Sequence, residues 1–200
     1  MADNFDGSGQ RELASGGSWS PGFQARFDQL EREFLLTWKA WEEWKNLFSC
    51  SPERSGFIHR SAWFFFNRVH DALLYSTVMA LGRLLDPEQQ GKNQNLSLER
   101  LMMDIPDQGL QIQLEAIRSK ARESEGPIRE FRDKRAAHFE RAVLEGPIIL
   151  RGFAVNDVDL CMRKVHEFFN LLHFQEAPSS WRDGPGYASG DSGELITKLL

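Results

Sequence analysis

The chain has 200 residues, a formal net charge of −5 and a hydrophobic fraction of 41%, with 15 Phe and 6 Trp. This length allows one domain with tails, and the aromatic residues provide material for a substantial core. The negative charge argues against broad, nonspecific binding of nucleic acid. Cys50 and Cys161 are far apart and form no CxxC pair, which argues against a disulfide framework or a cysteine-rich zinc site and favours a reducing compartment.

The sequence predicts neither a secretory signal nor a membrane span. Residues 1–20 are polar and rich in Gly and Ser, which predicts a disordered tail rather than a secretory signal. The longest uncharged apolar run, 72–82, is shorter than the roughly 20 residues that a membrane span needs. Residues 176–200 predict a flexible C-terminal tail whose last eight residues could form a short docking helix. We therefore expect a cytoplasmic protein without membrane contacts, with one helical domain over residues 21–175.

Apolar residues recur at three- and four-residue spacing in the first half of the chain, which predicts two long helices. The first covers 21–48, with Ser20 as its N-cap and a proline at its first position. Ser55-Gly56 is a break, and the second helix covers about 57–85. The aromatic residues 63–65 widen its apolar stripe, so we expect this helix to lie at the centre of the fold. The predicted stripe consists of Ala62, Phe66, Val69, Leu73, Ser76, Ala80 and Leu84.

Two more helical segments follow an exposed polar loop after Pro87. Residues 95–103 predict a short helix with Ser97 and Arg100 on its polar side. Residues 110–139 are also helical in pattern, but Gly126-Pro127 interrupts them, so either two helices meet there or one long helix kinks. The apolar positions of its first part are Ile112, Leu114, Ile117 and Ala121.

The end of the chain predicts one further helix. Residues 148–155 are the only strand-like stretch, and one strand does not make a sheet. Asn156-Asp157 predicts an N-cap, and the helix that follows should end near Phe174, with Leu160 on its apolar face. Four or five helices joined by short loops predict an all-α, up-and-down bundle.

The residues with the most chemistry are concentrated in 118–141. This segment has eight basic and five acidic residues, a net charge of +3, which leaves −8 for the remainder. Guanidinium, ammonium and imidazole groups suit the binding of a phosphodiester and proton transfer beside it. The alternative is a solvated helix surface with ordinary ion pairs. Four of these groups and one carboxylate fall within seven positions: Arg132, Asp133, Lys134, Arg135 and His138.

This cluster resembles the signature of the HEPN superfamily, an Arg, usually followed by a polar residue, four to six positions before a His. Here Arg132-Asp133 is followed by His138, with five residues between the Arg and the His. Three segments in this order resemble the abortive-infection branch of the superfamily. They are LGRLLDP at 81–87, NLSLERL at 95–101 and RDKRAAHFE at 132–140. The resemblance covers roughly residues 25–175.

The resemblance implies a helical bundle in which two protomers place Arg and His around a shared cleft. It implies a metal-independent endoribonuclease, used in phage defence or as a toxin with an antitoxin partner, that needs no cofactor. Arg132 and His138 are then the catalytic pair, and Asp133 orients them. The alternative is a non-catalytic module that binds RNA or a protein. Some relatives carry a modifiable Tyr two residues after the His, but this chain has Glu140 there.

Further charged residues could assist the pair. Four of them are predicted to bind RNA phosphate: Arg129, Lys134, Arg135 and Arg141. Arg83 and Asp86 could support the cleft, or form a salt bridge with each other near a helix C-terminus. On a straight helix, Arg132 and His138 would lie about 120° apart and about 9 Å along the axis. They could converge through the long Arg side chain, a helix distortion or a second protomer, so catalysis predicts a homodimer.

A metal site is the other enzymatic alternative. His166 and His173 share one helix face, and His70 lies on the second helix. Three such histidines can bind zinc or nickel. The chain has no HExxH motif, however, and helical histidines are more often held by packing and hydrogen bonds.

Overall fold

The computed structural model describes residues 19–49, 52–136 and 152–176, and the structural statements below refer to them. The all-α prediction is confirmed. The predicted tails lie outside the described residues, apart from Trp19 and Ser20 at the start and Glu176 at the end. The elements are α1 (Pro21–Phe48), α2 (Pro52–Leu85), β1 (Gln89–Gln90), β2 (Asn93–Gln94), α3 (Leu98–Met103), α4 (Gln108–Phe131), a π-helical turn (Arg132–Ala136) and α5 (Val155–Glu176).

Helix α1 has the predicted bounds and the predicted cap. The Oγ atom of Ser20 accepts a hydrogen bond from the backbone N–H of Phe23 at 3.2 Å, and Pro21 occupies the first helical position. Pro21 has no N–H, so it leaves no donor unsatisfied there. The buried side of α1 faces α2 and α5, and its side chains in the core include Phe27, Phe34 and Trp41.

Helix α2 differs from the prediction in its start and in its aromatic residues. It begins at Pro52 and continues through Ser55-Gly56, and Ala62 (φ −160°, ψ 60°) interrupts its helical geometry. The prediction that residues 63–65 widen a central stripe is wrong, because they are 52%, 76% and 61% exposed. Three consecutive helical residues span about 200° around the axis, so they cannot all face one core.

The central part of the fold is the C-terminal half of α2. The residues of α2 that are buried in the main core lie in this half, and α2 as a whole packs against α1, α3, α4 and the π-helical turn. Ala62 and Ser76, which the sequence placed on the apolar stripe, are exposed. The buried residues of this half are Thr77, Val78, Ala80, Leu81, Gly82, Leu84 and Leu85.

The polar loop after α2 forms a short hairpin. Gln89 pairs with Gln94 and Gln90 pairs with Asn93 in an antiparallel register. Gly91 begins the two-residue turn with a φ of 64°, a conformation that favours glycine. The side chain of Asn95 closes the loop by donating to the carbonyl oxygen of Pro87 at 2.9 Å.

Helix α3 begins at Leu98, three residues later than predicted. Ser97 is fully buried at its N-cap, so its predicted place on the polar side is wrong. Glu99 holds α3 in place because its two carboxylate oxygens accept from different elements. Oε2 accepts from the N–H of Glu88 at 2.6 Å, and Oε1 accepts from Nη2 of Arg118 at 3.0 Å.

Helix α4 continues through Gly126-Pro127 as one helix. Its N-cap is Asp107, whose Oδ1 accepts from the N–H of Leu110 at 3.0 Å. Pro127 removes one N–H donor from the helix. Ile112 is 71% exposed, which contradicts its predicted place on the apolar side.

Helix α5 begins at Val155 and ends at Glu176. The predicted N-cap at Asn156-Asp157 is wrong, because both residues lie within the first turn of the helix. Asp157 acts from inside that turn, where its carboxylate accepts from the backbone N–H of Ala154 at 2.7 Å. Leu160 is 38% exposed, so it is not part of the buried face. Of the predicted strand-like stretch, 152–154 have no regular structure and 148–151 lie outside the described residues.

One main core joins these helices. Helix α4 packs most extensively against α5, and α1 against α2. Burying a large side chain of this kind contributes about 1.5–3 kcal/mol relative to its exposure. The largest fully buried side chains include Phe27, Phe34, Trp41, Leu81, Leu84, Leu98, Leu114, Ile128, Phe168 and Phe169. Among the described residues, no helix combines the length and hydropathy needed to cross a bilayer.

Candidate functional site around Arg132

The candidate site begins where α4 changes into a π-helical turn. Arg132, the first residue of that turn, donates its backbone N–H to the carbonyl oxygens of Ile128 and Arg129. A π-helical turn is wider than an α-helical turn, and such turns are frequent at functional sites. The 120° separation calculated for a straight helix therefore does not apply after Arg132. The predicted partners His138 and Arg141 lie outside the described residues.

The guanidinium of Arg132 is held by two carboxylates. Its Nε donates to Oδ1 of Asp133 at 2.8 Å, and its Nη1 donates to the two carboxylate oxygens of Asp86 at 3.2 and 3.3 Å. The side chain is only 11% exposed. Burial alone lowers the pKa of Arg132, but Asp133 and Asp86 outweigh it and raise the pKa above its ordinary value. Arg132 therefore stays charged and keeps a fixed direction.

Gly82 makes room for this arrangement. A Cβ atom at Gly82 would lie 2.6 Å from Cδ and 2.8 Å from Cζ of Arg132, closer than real Cβ contacts. The N–H of Asp86 donates to the carbonyl oxygen of Gly82 at 2.8 Å, so the two residues are one helical turn apart. The last turn of α2 thus provides the space, and Asp86, directly after the end of α2, provides the carboxylate that positions Arg132.

Asp86 also binds Arg129, which extends the network into the core. Nη1 of Arg129 donates to Oδ1 of Asp86 at 3.1 Å, while its Nε and Nη2 donate to Oε2 of Glu125 at 3.2 and 2.9 Å. The result is a continuous chain of charges from Glu125 through Arg129 and Asp86 to Arg132. We call these four residues the charge chain.

Glu125 is the buried end of the charge chain. It is 1% exposed, and its Oε1 has no hydrogen-bond partner within the described part of the protein. Burial raises the pKa of Glu125 above its ordinary value, although Arg129 lowers it in part. Cys161 of α5 is also fully buried, and burial, with a smaller effect of Glu125, raises the pKa of its thiol. The charge chain therefore ends in an apolar environment with a high cost of ionisation.

The other predicted site residues have different surroundings. Lys134 pairs with Glu130 at 3.1 Å. The backbone of Arg135 belongs to the π-helical turn, while its side chain is not among those that the structure describes. Arg83 binds Glu33 of α1 rather than Asp86, so the expected Arg83–Asp86 salt bridge is replaced by two separate interactions. The reason is position, since Arg83 is exposed towards α1 and Asp86 faces α4.

The match to known families spans this whole arrangement. The family model of AbiU2, a HEPN-type abortive-infection family, matches residues 20–187. The chain belongs to the AbiU2 family. No curated protein and no solved structure matches it significantly. The family assignment agrees with the resemblance that the three sequence segments carry.

In this AbiU2 chain, the basic segment is more neutral than its composition predicts. Arg118 is buried and pairs with Glu99 and Glu115, and Lys134 pairs with Glu130. Arg129 and Arg132 share the carboxylate of Asp86. These ion pairs neutralise much of the positive charge that was predicted to bind phosphate. Lys120 and Arg122 remain exposed on α4.

The three histidines of the metal alternative have separate environments. His166 packs against Phe34 and Trp38, and burial lowers its pKa. His173 pairs with Glu31 of α1. His70 contacts its neighbour Asp71 through Nδ1 at 3.1 Å. In the parts of the chain that the structure describes, no three His, Cys, Asp or Glu side chains meet in a metal-binding group.

Two residues of the site were not identified from the sequence. Gly82 was quoted only as part of a matching segment, although a glycine inside an apolar helix is itself a sign of close packing. Glu125 precedes Arg129 by four residues, a spacing that predicts an ion pair on one helix face. Its burial could not be deduced, because it depends on how α5 covers α4.

Proposed function

We propose that this AbiU2 protein is a metal-independent endoribonuclease of a phage-defence system. The observation that carries the proposal is the fixed position of Arg132, six residues before His138. Asp86 and Asp133 hold its Nε and Nη1, while Nη2 bonds to neither carboxylate. A charged guanidinium with a fixed direction is suited to stabilise negative charge that develops on a phosphate.

The proposed reaction uses the chemistry of RNA itself. The 2′-oxygen loses its proton and attacks the adjacent phosphorus, the bond to the 5′-oxygen breaks, and that oxygen takes up a proton. The products are a 2′,3′-cyclic phosphate and a 5′-hydroxyl. His138 would transfer these protons, and Arg132 would bind the phosphorane oxygens. General acid–base groups contribute about 10²–10⁴-fold each, so we expect a modest enzyme.

The remaining charged residues have supporting roles in this proposal. Arg129 contacts Glu125 and Asp86 and acts as a positioning residue for Arg132, whereas Lys134, Arg135 and Arg141 lie along the same segment and would bind RNA phosphate. Asp133 orients Arg132 directly. The active form is a homodimer, in which the second copy completes the cleft. An antitoxin protein would restrain it.

Cleavage of RNA in the presence of EDTA tests the proposal. The substrates are 5′-labelled single-stranded and hairpin RNAs, and the variants are His138→Ala, Arg132→Ala and Arg132→Lys. We expect cleavage that survives EDTA, leaves a cyclic phosphate and falls at least about 10²-fold in both alanine variants. Arg122→Ala is the matched control, because it removes an exposed charge of the same segment outside the charge chain. It should cleave like the parent.

Three results would contradict the proposal. Cleavage that needs a divalent metal would exclude this chemistry, and cleavage that persists in His138→Ala would point to a contaminant. A strictly monomeric protein by light scattering would argue against a shared cleft. At the cellular level, expression of the parent in a bacterial host should reduce phage plaque formation, and His138→Ala should restore it.

A non-catalytic interaction module is the second candidate. The observation in its favour is the pairing of Arg118, Arg129, Arg132 and Lys134 with carboxylates, which leaves a weak positive field for an RNA substrate. A folded dimer that leaves all test RNAs intact, yet binds a partner protein stoichiometrically, would favour this candidate.

A further inference from the structure

An exposed aromatic surface lies on α2, away from the charge chain. Directly after the interruption at Ala62, Trp63, Phe64 and Phe65 are 52%, 76% and 61% exposed. The guanidinium carbon of Arg68 lies 5.7 Å from the ring centroid of Phe64. We call these four residues the ring surface. Large exposed apolar surfaces of this kind usually bind something.

The charge around the ring surface favours a negatively charged partner. From residue 54 to residue 70 the sequence contains no Asp or Glu, although the whole chain has a net charge of −5. The same stretch contains three arginines, of which Arg60 and Arg68 are exposed. A guanidinium over an aromatic ring is a recurrent feature of sites that stack nucleic-acid bases.

The directions of the rings favour a flexible strand over a docked helix or a second copy of the chain. A helix that docks against protein presents an apolar stripe at i, i+3, i+4 and i+7. Residues 63–65 are consecutive, so their side chains leave the helix at about 100° intervals. Successive bases of a single strand can reach such rings one at a time. Two copies packed here would also bring their arginines together, with no acidic residue between 54 and 70 to offset them.

We propose that the ring surface binds single-stranded RNA by base stacking, as a second contact for the RNA that is cleaved at Arg132. The inference rests on the proposed function, because it takes RNA as the substrate. Phe64 and Gly82 are 18 residues apart on the helical part of α2 after Ala62, or about 27 Å along the axis. The RNA must therefore be unpaired and several nucleotides long to contact both places.

Binding measurements in EDTA test the ring surface separately from cleavage. The probe is a fluorescein-labelled, 20-nucleotide oligouridine, bound to the His138→Ala protein so that it stays intact, and the readout is anisotropy. Phe64→Ala should weaken binding about tenfold, and Phe64→Ala with Phe65→Ala considerably more. Arg68→Gln should reduce the slope of log K against log salt by somewhat less than one. A duplex of the same length should bind without dependence on the rings.

Matched controls test whether the loss of any exposed apolar side chain weakens RNA binding. Leu36 and Ile112 are 60% and 71% exposed, and neither is part of the ring surface. Leu36→Ala and Ile112→Ala should leave the affinity for oligouridine unchanged. Addition of RNA should also quench tryptophan fluorescence in the parent, and Trp63→Phe should remove most of that quenching. Circular dichroism and light scattering should be used to check that each variant keeps the parent's fold and oligomeric state.

The outcomes separate the two proposals. RNA cleavage with unchanged affinity in the ring variants overturns the ring surface and leaves the nuclease intact. Ring-dependent binding without cleavage supports the ring surface and removes the nuclease. If Phe64→Ala turns a dimer into a monomer, the surface is an interface between copies and the RNA proposal is overturned. If the parent neither binds nor cleaves RNA, both proposals fail.

Discussion

The side chain of Arg132 lies directly against the backbone of Gly82. Cδ and Cζ of the arginine are 2.6 and 2.8 Å from the point where any other residue would place its Cβ atom. The same guanidinium reaches the carboxylate of Asp86, which is four residues after Gly82 and directly follows the end of α2. The direction of the candidate catalytic arginine is thus set by a neighbouring helix, because α4 alone would leave a long and flexible side chain.

Gly82→Ala should reduce both RNA cleavage and the free energy of unfolding. The new methyl group displaces Arg132, and a displacement of about 1 Å can cost about 10²-fold in rate. Overpacking should cost about 1–3 kcal/mol of unfolding free energy. RNA cleavage and urea unfolding measure the two effects. Gly126→Ala is the control, because no atom outside its two chain neighbours lies within 4 Å of its Cβ position. Since Pro127 restricts the residue before it, we expect no gain in helix stability, but RNA cleavage should stay at the parent's level. Equal activity in both variants would contradict the packing argument.

Asp86→Asn should destabilise the protein by about 1.5–3 kcal/mol, because it weakens charged hydrogen bonds to two arginines at a site with 17% exposure. It should also lower RNA cleavage by releasing Arg132. Asp133→Asn removes one contact of the same arginine from a carboxylate that is 53% exposed, so its effect on stability should be under about 1 kcal/mol. Chemical denaturation of both variants gives the comparison, and a larger loss for Asp133→Asn would be evidence against the charge chain.

The effect of Glu125→Gln on the stability of the protein, relative to the parent, should become more favourable as the pH rises. Burial raises the pKa of Glu125 in the folded protein above its ordinary value of 4.5. The stability that the protonated group contributes is therefore present below that ordinary value and is lost as the pH rises through the folded pKa. Glutamine cannot ionise, so the melting temperature of the variant relative to the parent should increase between pH 4 and pH 8.

A matched variant and a clear contrary result complete that test. Glu130→Gln removes a carboxylate from the same helix at a position where the side chain is 33% exposed, and it is the matched control for the loss of a carboxylate that is not buried. A difference between Glu125→Gln and the parent that shrinks with rising pH would show that Arg129 outweighs the burial of the carboxylate.

Cys161 should be unreactive in the folded protein. Its side chain is fully buried on α5, and burial raises the pKa of the thiol, so almost no thiolate forms near neutral pH. In a Cys50→Ser background, an aromatic disulfide reagent should react with Cys161 only at the rate at which the protein opens. Urea should accelerate the reaction strongly. Fast labelling in native buffer would mean that α5 separates readily from α4.

The sequence predicts the helices better than their exposed faces. The cap at Ser20 and the end of α1 follow from local chemistry, and both are confirmed. The burial of residues 63–65 was predicted wrongly because hydrophobicity was counted without regard to direction. The interruption at Ala62, which changes that direction, has no clear signal in the sequence, because no Gly or Pro lies between 57 and 81. Pro127 had the opposite effect, since it suggested a break in a helix that the core keeps continuous.

In the candidate site, too, the sequence predicts local features but not the contacts between distant residues. The pattern of Arg132, Asp133 and His138 is local, so the sequence reveals it. The contacts of Arg132 with Gly82 and Asp86 join residues about 50 positions apart and depend on how α2 packs against α4. Periodicity carries no information about such contacts. The three matching segments did include Gly82 and Asp86, but gave no reason for either residue.

The contacts of Arg132 with Gly82 and Asp86 also restrict where residues can be inserted into the chain or deleted from it. Gly82 and Asp86 act together only because they are one helical turn apart. Inserting a single residue between them would rotate Asp86 by about 100° and carry its carboxylate away from both arginines. An insertion at the turn between Gly91 and Lys92 would extend an exposed hairpin and leave the contacts of Arg132 with Gly82 and Asp86 unchanged. Among natural relatives, gains and losses of residues should therefore be tolerated in the hairpin and excluded from the last turn of α2.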